Sequence, residues 1–425
     1  MVGVSDVRVL GGEVVGGEVV GGARRSASGV RLTYMPGLDG VRAVSVVGIM
    51  ANHGGFAWAA GGIISVNVFF VLSGFLITLL LVKEWSGTAT VGLRAFWARR
   101  ARRLLPALFV LLGGIGIYAW LFAPSGTRPS LRGDALATVL YVGNWHQIFT
   151  GQSYFAQISA QSPLLHTWTL AIEEQFYLVW PLVVLGVLRL WRSTRILALL
   201  TVAGAAASAI EMALLFHVGG DPSRVYYGTD TRAQDILVGA VVAMLLSGRG
   251  PATTRRARAG LSWMVVAAAA VFAWEWVRIT GNASFPYRGG FLLADVMVGL
   301  VIVGVAQAPG GVPARLLSVR PLRYVGKISY GLYLWHWPIF LVLTHARTGL
   351  EGSELFASRC AASFVAAVLS WYLVETPVRR SAAGSWRVRA WAPAAAAAAT
   401  AVVLVAATAA GNIGSANATA VTDAT

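Results

Sequence analysis

Apolar residues run along this chain in long blocks rather than at the spacing of a surface helix or a half-buried strand. Eleven blocks stand out, at 41–58, 62–82, 104–123, 167–188, 196–217, 233–247, 261–278, 290–308, 328–345, 357–374 and 391–410. A hydrocarbon core of about 30 Å takes about 20 residues of helix to cross, and a spanning helix satisfies its own backbone hydrogen bonds in lipid. The pattern predicts an all-α, polytopic bundle of eleven spans. A twelfth stretch, 134–149 (DALATVLYVGNWHQIF), is only moderately apolar. It reads as an interfacial or re-entrant helix outside the membrane, with Tyr141, Trp145 and Phe149 suited to the headgroup level.

Charge sets the orientation. With the N-terminus in the cytoplasm, all but eight of the 34 Lys and Arg fall on the inner side, the exceptions being Arg128, Arg132, Arg224, Arg232, Arg278, Arg288, Arg347 and Arg359. The opposite orientation would reverse the positive-inside bias, so the N-terminus is placed inside and the C-terminus outside. If 134–149 crossed, the Arg189–Arg195 cluster would land outside, which is why that stretch is kept out of the count.

Composition agrees: 56% hydrophobic residues, only 12% charged, and a mean hydropathy of +0.66. The net charge of +16 lies in loops between apolar blocks, which points to membrane orientation and not to nucleic acid. One cysteine, Cys360, allows neither an internal disulfide nor a cysteine metal site, and no metal ligand set is expected. Residues 1–34, with the repeat GGEVVGGEVVGG, are expected to be a disordered cytoplasmic segment. Residues 35–380 form the ten-span domain, and 381–425 an added span with a short extracytoplasmic tail.

Ionisable groups inside spans are costly and mark functional candidates. Arg42 and His53 lie eleven residues apart in the first block, about 20° past three full turns, so they share one helix face about 16 Å apart along the axis. Arg42 alone could be an orienting anchor, and His53 alone a hydrogen-bonded core histidine. In FWARRARRLLPAL (96–108), Arg100 and Arg103 are neighbours on a helix whose guanidinium forks suit a phosphorylated cytosolic donor; positive-inside anchoring is the plainer reading. In HTWTLAIEEQFYLVWPL (166–182), His166 sits at the outer entrance. Glu173 lies about 10 Å deeper, a depth it could share with His53, where a carboxylate would orient the imidazole. Tyr333 and His336 in ISYGLYLWHWPIF, and Asp230, Arg232 and Asp235 in YYGTDTRAQDILVG, are secondary candidates with structural readings as interhelix bonds or ion pairs.

Seven blocks in this order resemble the acyltransferase-3 family of integral-membrane O-acyltransferases: LDGVRAVSVVGIMANH, VNVFFVLSGFLIT, RRARRLLPA, SPLLHTWTLAIEEQFYLVWP, DTRAQDILVGAVVA, ISYGLYLWHWP and LVETPVRR. The family's arginine-and-histidine motif matches Arg42 and His53, its paired arginines Arg100 and Arg103, and the carboxylate of its WSLxxE block Glu173. The resemblance implies transfer of an acyl group, often acetyl, from cytosolic acyl-CoA to a hydroxyl of an extracytoplasmic glycan or glycolipid, with no bound cofactor. It implies His53 as general base or acyl carrier, Arg42 on donor phosphate or a carbonyl, and Glu173 orienting the histidine. Asn67 departs from the family's GVDVFF, and Thr169 stands where serine is common. Many long relatives add an eleventh span and then an SGNH hydrolase-like domain. Here the span is followed by a short tail, which implies either a separate SGNH-type partner or a truncated sequence. The competing reading is a multi-span transporter or flippase of an envelope glycan or lipid, in which intramembrane charges couple ions. That reading predicts inverted repeats, and none is visible between the halves.

Overall fold

The computed structural model describes residues 32–121, 125–155, 162–281 and 283–380, and no strand occurs among them. Ten long helices carry the fold: α1 (Pro36–His53), α2 (Ser65–Thr88), α3 (Leu93–Leu121), α4 (Trp168–Trp191), α5 (Thr194–Leu215), α6 (Thr229–Leu246), α7 (Arg255–Arg278), α8 (Phe291–Gln307), α9 (Arg320–Val342) and α10 (Gly352–Ser370). Each coincides with one of the first ten apolar blocks. The eleventh block, 391–410, and the N-terminal 1–31 lie outside the described residues.

Seven of the ten are long and apolar enough to cross a membrane. The three that fall short, α1, α6 and α9, carry the polar groups named above: Arg42 and His53, Arg232 and Asp235, and Tyr333 and His336. Their polar faces turn inward, so low hydropathy here marks an enclosed face and not a soluble helix. Burial grades outward from α2, where 72% of the most apolar window is enclosed, to α7 and α10 at the edge, with 17%. Leu190, Leu199, Leu214 and Val277 point outward, while Arg232, Asp235 and Asp295 are fully enclosed. This is the inverse of a soluble domain and fits a lipid-facing belt.

Glycine sets the closest contact. A Cβ at Gly74 of α2 would sit on the carbonyl oxygen of Ile236, and one at Gly239 of α6 on that of Val71. The two backbones therefore touch through reciprocal small residues. At the α4–α5 turn, Arg192 takes a left-handed conformation (φ 50°) and Ser193 caps α5 by accepting the Ile196 N–H at 3.3 Å.

Residues 134–149 do not form one crossing helix. They divide between short helices Arg128–Val139 and Gly143–Phe149, broken at Tyr141 (φ 55°). Asn144 Nδ2 donates to Tyr227 O at 3.0 Å and Gln147 Nε2 to Leu165 O at 2.9 Å, which ties this layer over the start of α4. In a Cys360→Ala background, Arg132→Cys should react with an impermeant maleimide from outside the cell, and Arg256→Cys only after permeabilisation. Labelling of Arg132→Cys solely from the cytoplasm would overturn the orientation.

Candidate active site

Two chambers lie along the shared face of α1, termed inner and outer after the orientation that the arginine distribution predicts. The inner one is a crevice of about 60 Å³ lined by Arg42, Ser73, Arg100, Arg103, Glu173 and Tyr177, with aromatic walls from Phe69, Tyr330 and Tyr333. Glu173 accepts from Ser73 Oγ at 2.8 Å and from the Tyr177 hydroxyl at 3.1 Å. The Arg100 guanidinium lies 4.8 Å from the centre of the Tyr177 ring, and that of Arg42 5.9 Å from Phe69. Three guanidiniums around one carboxylate leave the crevice positive. It can receive an anion or the negative charge that develops on a carbonyl oxygen.

The outer chamber, about 340 Å³, is lined by His53, Tyr154, Phe155, His166 and Trp337. Its hydrogen bonds set the histidine tautomers. His336 Nδ1 lies 2.6 Å from Tyr333 O and 3.2 Å from Leu332 O. Carbonyls only accept, so this nitrogen carries the hydrogen and His336 Nε2 presents a lone pair. His53 Nδ1, 3.0 Å away, then donates to it. That leaves His53 Nε2 as an acceptor, facing the Tyr154 hydroxyl at 3.1 Å. The backbone of α9 thus orients two stacked imidazoles so that His53 turns a basic nitrogen into the chamber. His166 Nε2 is 3.1 Å from Leu334 O, so its Nδ1, which has no hydrogen-bond partner among the described residues, is a second bare acceptor.

Tyr154 is held by its backbone. Its N–H donates to Ser223 Oγ at 2.9 Å, and Ser223 Oγ lies 2.5 Å from Asp221 Oδ1. Asp221 is in the outer loop after α5. Partial burial raises its pKa, but hydrogen bonds from Ser153 and Ser223 outweigh this and hold the carboxyl below the usual range. The Tyr154 ring packs 4.6 Å from Tyr226 and 5.1 Å from Phe155. Between the chambers stand Thr169 and Tyr333, whose hydroxyls are 2.7 Å apart, with the Tyr333 hydroxyl donating to His166 O at 2.7 Å.

The structure brings His53, His166 and His336 together at the outer end, and Arg42, Arg100, Arg103 and Glu173 at the inner end. One expectation is corrected. Glu173 does not orient His53: its oxygens are taken by Ser73 and Tyr177, and His336 fills the orienting position. Their depths differ because His53 is the last residue of α1, at its outer end, whereas Glu173 lies seven residues past His166, about 10 Å further in. His166 is the α4-side residue level with His53. Asp230 lies in neither chamber, being paired with Arg224 at 2.5 Å near the outer surface. Arg232 is buried apart from both, 2.9 Å from Asp235 and 2.8 Å from Asn67 Oδ1. Tyr154 and Trp337 escaped the sequence reading. Tyr154 lies just past the helix Gly143–Phe149 with no periodicity or charge to mark it, and Trp337 resembles an interfacial tryptophan.

The acyltransferase domain of the acyltransferase-3 family matches residues 35–375. The chain belongs to the acyltransferase-3 family. It is 39% identical over 352 residues to the peptidoglycan O-acetyltransferase OatA of Listeria monocytogenes, covering 82% of this chain and 56% of that protein. It is 37% identical to the putative peptidoglycan O-acetyltransferase YrhL of Bacillus subtilis, over 81% of this chain and 55% of the relative. It is 35% identical to the O-acetyltransferase OatA of Staphylococcus aureus, over 82% and 57%. The chain thus spans little more than half the length of these relatives. No solved structure matches. Of the residues singled out by the resemblance, Arg42, Arg100, Arg103 and Glu173 line the inner crevice and His53 lines the outer chamber. Asn67, the departure in the second block, lies in neither.

Proposed function

We propose that this protein is a membrane O-acyltransferase that carries an acetyl group from cytosolic acyl-CoA to a hydroxyl of an extracytoplasmic cell-wall glycan. The observation that carries this reading is the polarised pair of chambers: a guanidinium-rich crevice at the inner end and, at the outer end, a histidine whose free lone pair faces a hydroxyl. The resemblance to peptidoglycan O-acetyltransferases supports the glycan acceptor. In the transfer, His53 Nε2 takes the proton of the attacking hydroxyl. Its oxygen bonds to the thioester carbonyl carbon, the carbon–sulfur bond breaks, and the thiolate of coenzyme A leaves and takes up the proton from His53. Arg42, about 16 Å from His53 along the axis of α1, lies too far from that carbonyl to touch it and instead holds the donor in the inner crevice. Thr169 and Tyr333 stand in the path between the chambers, so the thioester end of the donor passes where they now meet to reach His53.

Incubating membranes with acetyl-labelled acetyl-CoA tests the reading directly. Label should appear in cell-wall glycan, and its absence from glycan in membranes holding intact protein would end the proposal. Arg100→Ala with Arg103→Ala should lower kcat/KM for acetyl-CoA about ten- to a hundredfold, the effect of losing a charge-assisted contact. Arg→Lys at both positions keeps the charge but loses the fork, and should recover only part of the activity. A donor dependence that stays at the wild-type level in the double alanine variant would reduce these arginines to anchors.

A further inference from the structure

The inner crevice poses a problem of size. At about 60 Å³ it admits an acyl thioester but not a nucleotide, since sites for ligands of that class run from about 300 to 1,000 Å³. A second cavity, of about 600 Å³, lies at the cytoplasmic ends of α2, α6 and α8. It takes no part in the chemistry described so far.

Its floor is apolar, from Phe75, Leu79 and Leu246, and its rim carries Lys83 and Arg249, with Tyr34 on one wall. The other wall is the loop Ser247–Gly248–Arg249–Gly250–Pro251. Gly248 is in the left-handed region (φ +78°), and a Cβ there would meet nothing within 4 Å. A glycine loop of this kind lets a ligand come close to the backbone. Ala252 N–H donates to Gln307 O at 2.7 Å and pins the loop to the end of α8.

The cavity and the crevice share one ridge of α2. Leu72 and Leu76 line the crevice, and Leu79 and Lys83 line the cavity. Spacings of four, three and four residues place these side chains in a row on one helix face. From Ser73, which touches Glu173, to Lys83 is ten residues, about 15 Å along the axis. A donor with its charged nucleotide at one end and its thioester at the end of a flexible arm fits this arrangement.

We propose that the cytoplasmic cavity bounded by Lys83, Arg249 and the Ser247–Pro251 loop binds the phosphorylated adenosine end of the acyl-CoA donor, with the arm running along α2 to the crevice. The proposal rests on the acyl-CoA reading above and adds to it the place of the nucleotide. Phosphate with an apolar neighbour could also come from an anionic lipid, and the experiment separates the two.

The full chain, carrying Cys360→Ala and Ser247→Cys, is placed in phosphatidylcholine nanodiscs and labelled with a maleimide. Acetyl-CoA and adenosine 3′,5′-bisphosphate should both slow labelling, while added phosphatidylglycerol should not. In turnover assays, Lys83→Ala with Arg249→Ala should raise KM for acetyl-CoA about tenfold, since both rim charges are solvent-exposed and individually modest. The salt dependence of KM should flatten. Arg256→Ala, on the same side but away from the cavity, should leave KM at the wild-type value. If the wild-type chain turns over acetyl-CoA while the double variant keeps its KM and the bisphosphate gives no protection, the cavity assignment fails and the donor reading stands. Protection by phosphatidylglycerol alone would give the cavity to a lipid and overturn the proposal. A wild-type chain that uses no acetyl-CoA would bring down the donor reading, and the cavity assignment with it.

Discussion

His53→Gln is expected to cut acetyl transfer at least a hundredfold while the protein accumulates and folds normally. A missing general base costs about 10²- to 10⁴-fold. Glutamine keeps much of the volume and can still bond His336 Nε2 at the position His53 Nδ1 holds at 3.0 Å. It cannot take up a proton near neutral pH, which an imidazole can. Tyr154→Phe removes the one hydroxyl that the structure places on His53 Nε2, and should also lower turnover, without affecting the KM for the donor. His336→Ala should cost less than His53→Gln, because it frees the tautomer of His53 without removing the base. Initial rates with labelled acetyl-CoA on matched amounts of purified protein check all three. Full activity in His53→Gln would make the histidine structural and move the base to His166, which lines the same chamber and whose Nδ1 has no hydrogen-bond partner among the described residues.

Arg232→Ala is expected to be the most destabilising single substitution in the membrane domain, at about 3–5 kcal/mol, the cost of removing one partner of a buried ion pair. Arg232, Asp235 and Asp295 are all fully enclosed. Arg232 Nη2 is ion-paired with Asp235 Oδ2 at 2.9 Å and donates to Asn67 Oδ1 at 2.8 Å, while Asn67 Nδ2 donates to Asp295 Oδ1 at 2.8 Å. The guanidinium also stacks 4.4 Å from the centre of the Phe291 ring, a contact strengthened where water is absent. One cation thereby joins α2, α6 and α8. Losing it strands two carboxyl groups in the bundle. Asp295→Asn should be far milder, since an amide keeps the hydrogen bond to Asn67. Thermal unfolding of the detergent-solubilised protein, followed by size-exclusion fluorescence, measures both. Equal melting temperatures for wild type and Arg232→Ala would show that the cluster does not hold these helices together.

This cluster also explains the departure at Asn67. The resemblance leads to the expectation of a carboxylate there. Here an amide bridges the guanidinium to Asp295, and the second acidic group comes from α8 instead. Asp295 drew no notice in the sequence, because a lone aspartate in an apolar block carries no mark of its partner.

Much of the architecture was written in the order of residues. Block length, set against the thickness of a bilayer, determined that the chain is a helical membrane bundle and located all ten described long helices. The distribution of arginine assigned an orientation. Helical arithmetic placed Arg42 and His53 on one face, and the first-span, paired-arginine and WSLxxE blocks pointed to the residues that line the two chambers. These features depend on local chemistry and on distances along a single helix, which periodicity records. Relations between helices were decided only in three dimensions. Glu173 belongs with Arg42 and not with His53, because α4 starts at the outer surface where α1 ends. His336, not a carboxylate, orients His53, because a backbone carbonyl of α9 sets its tautomer. Tyr154 reaches the site from just past the helix Gly143–Phe149, where Ser223 and Asp221 anchor its backbone. Depth, tautomer and loop placement all depend on how separate segments pack against one another, and the pattern along one segment carries no record of its neighbours.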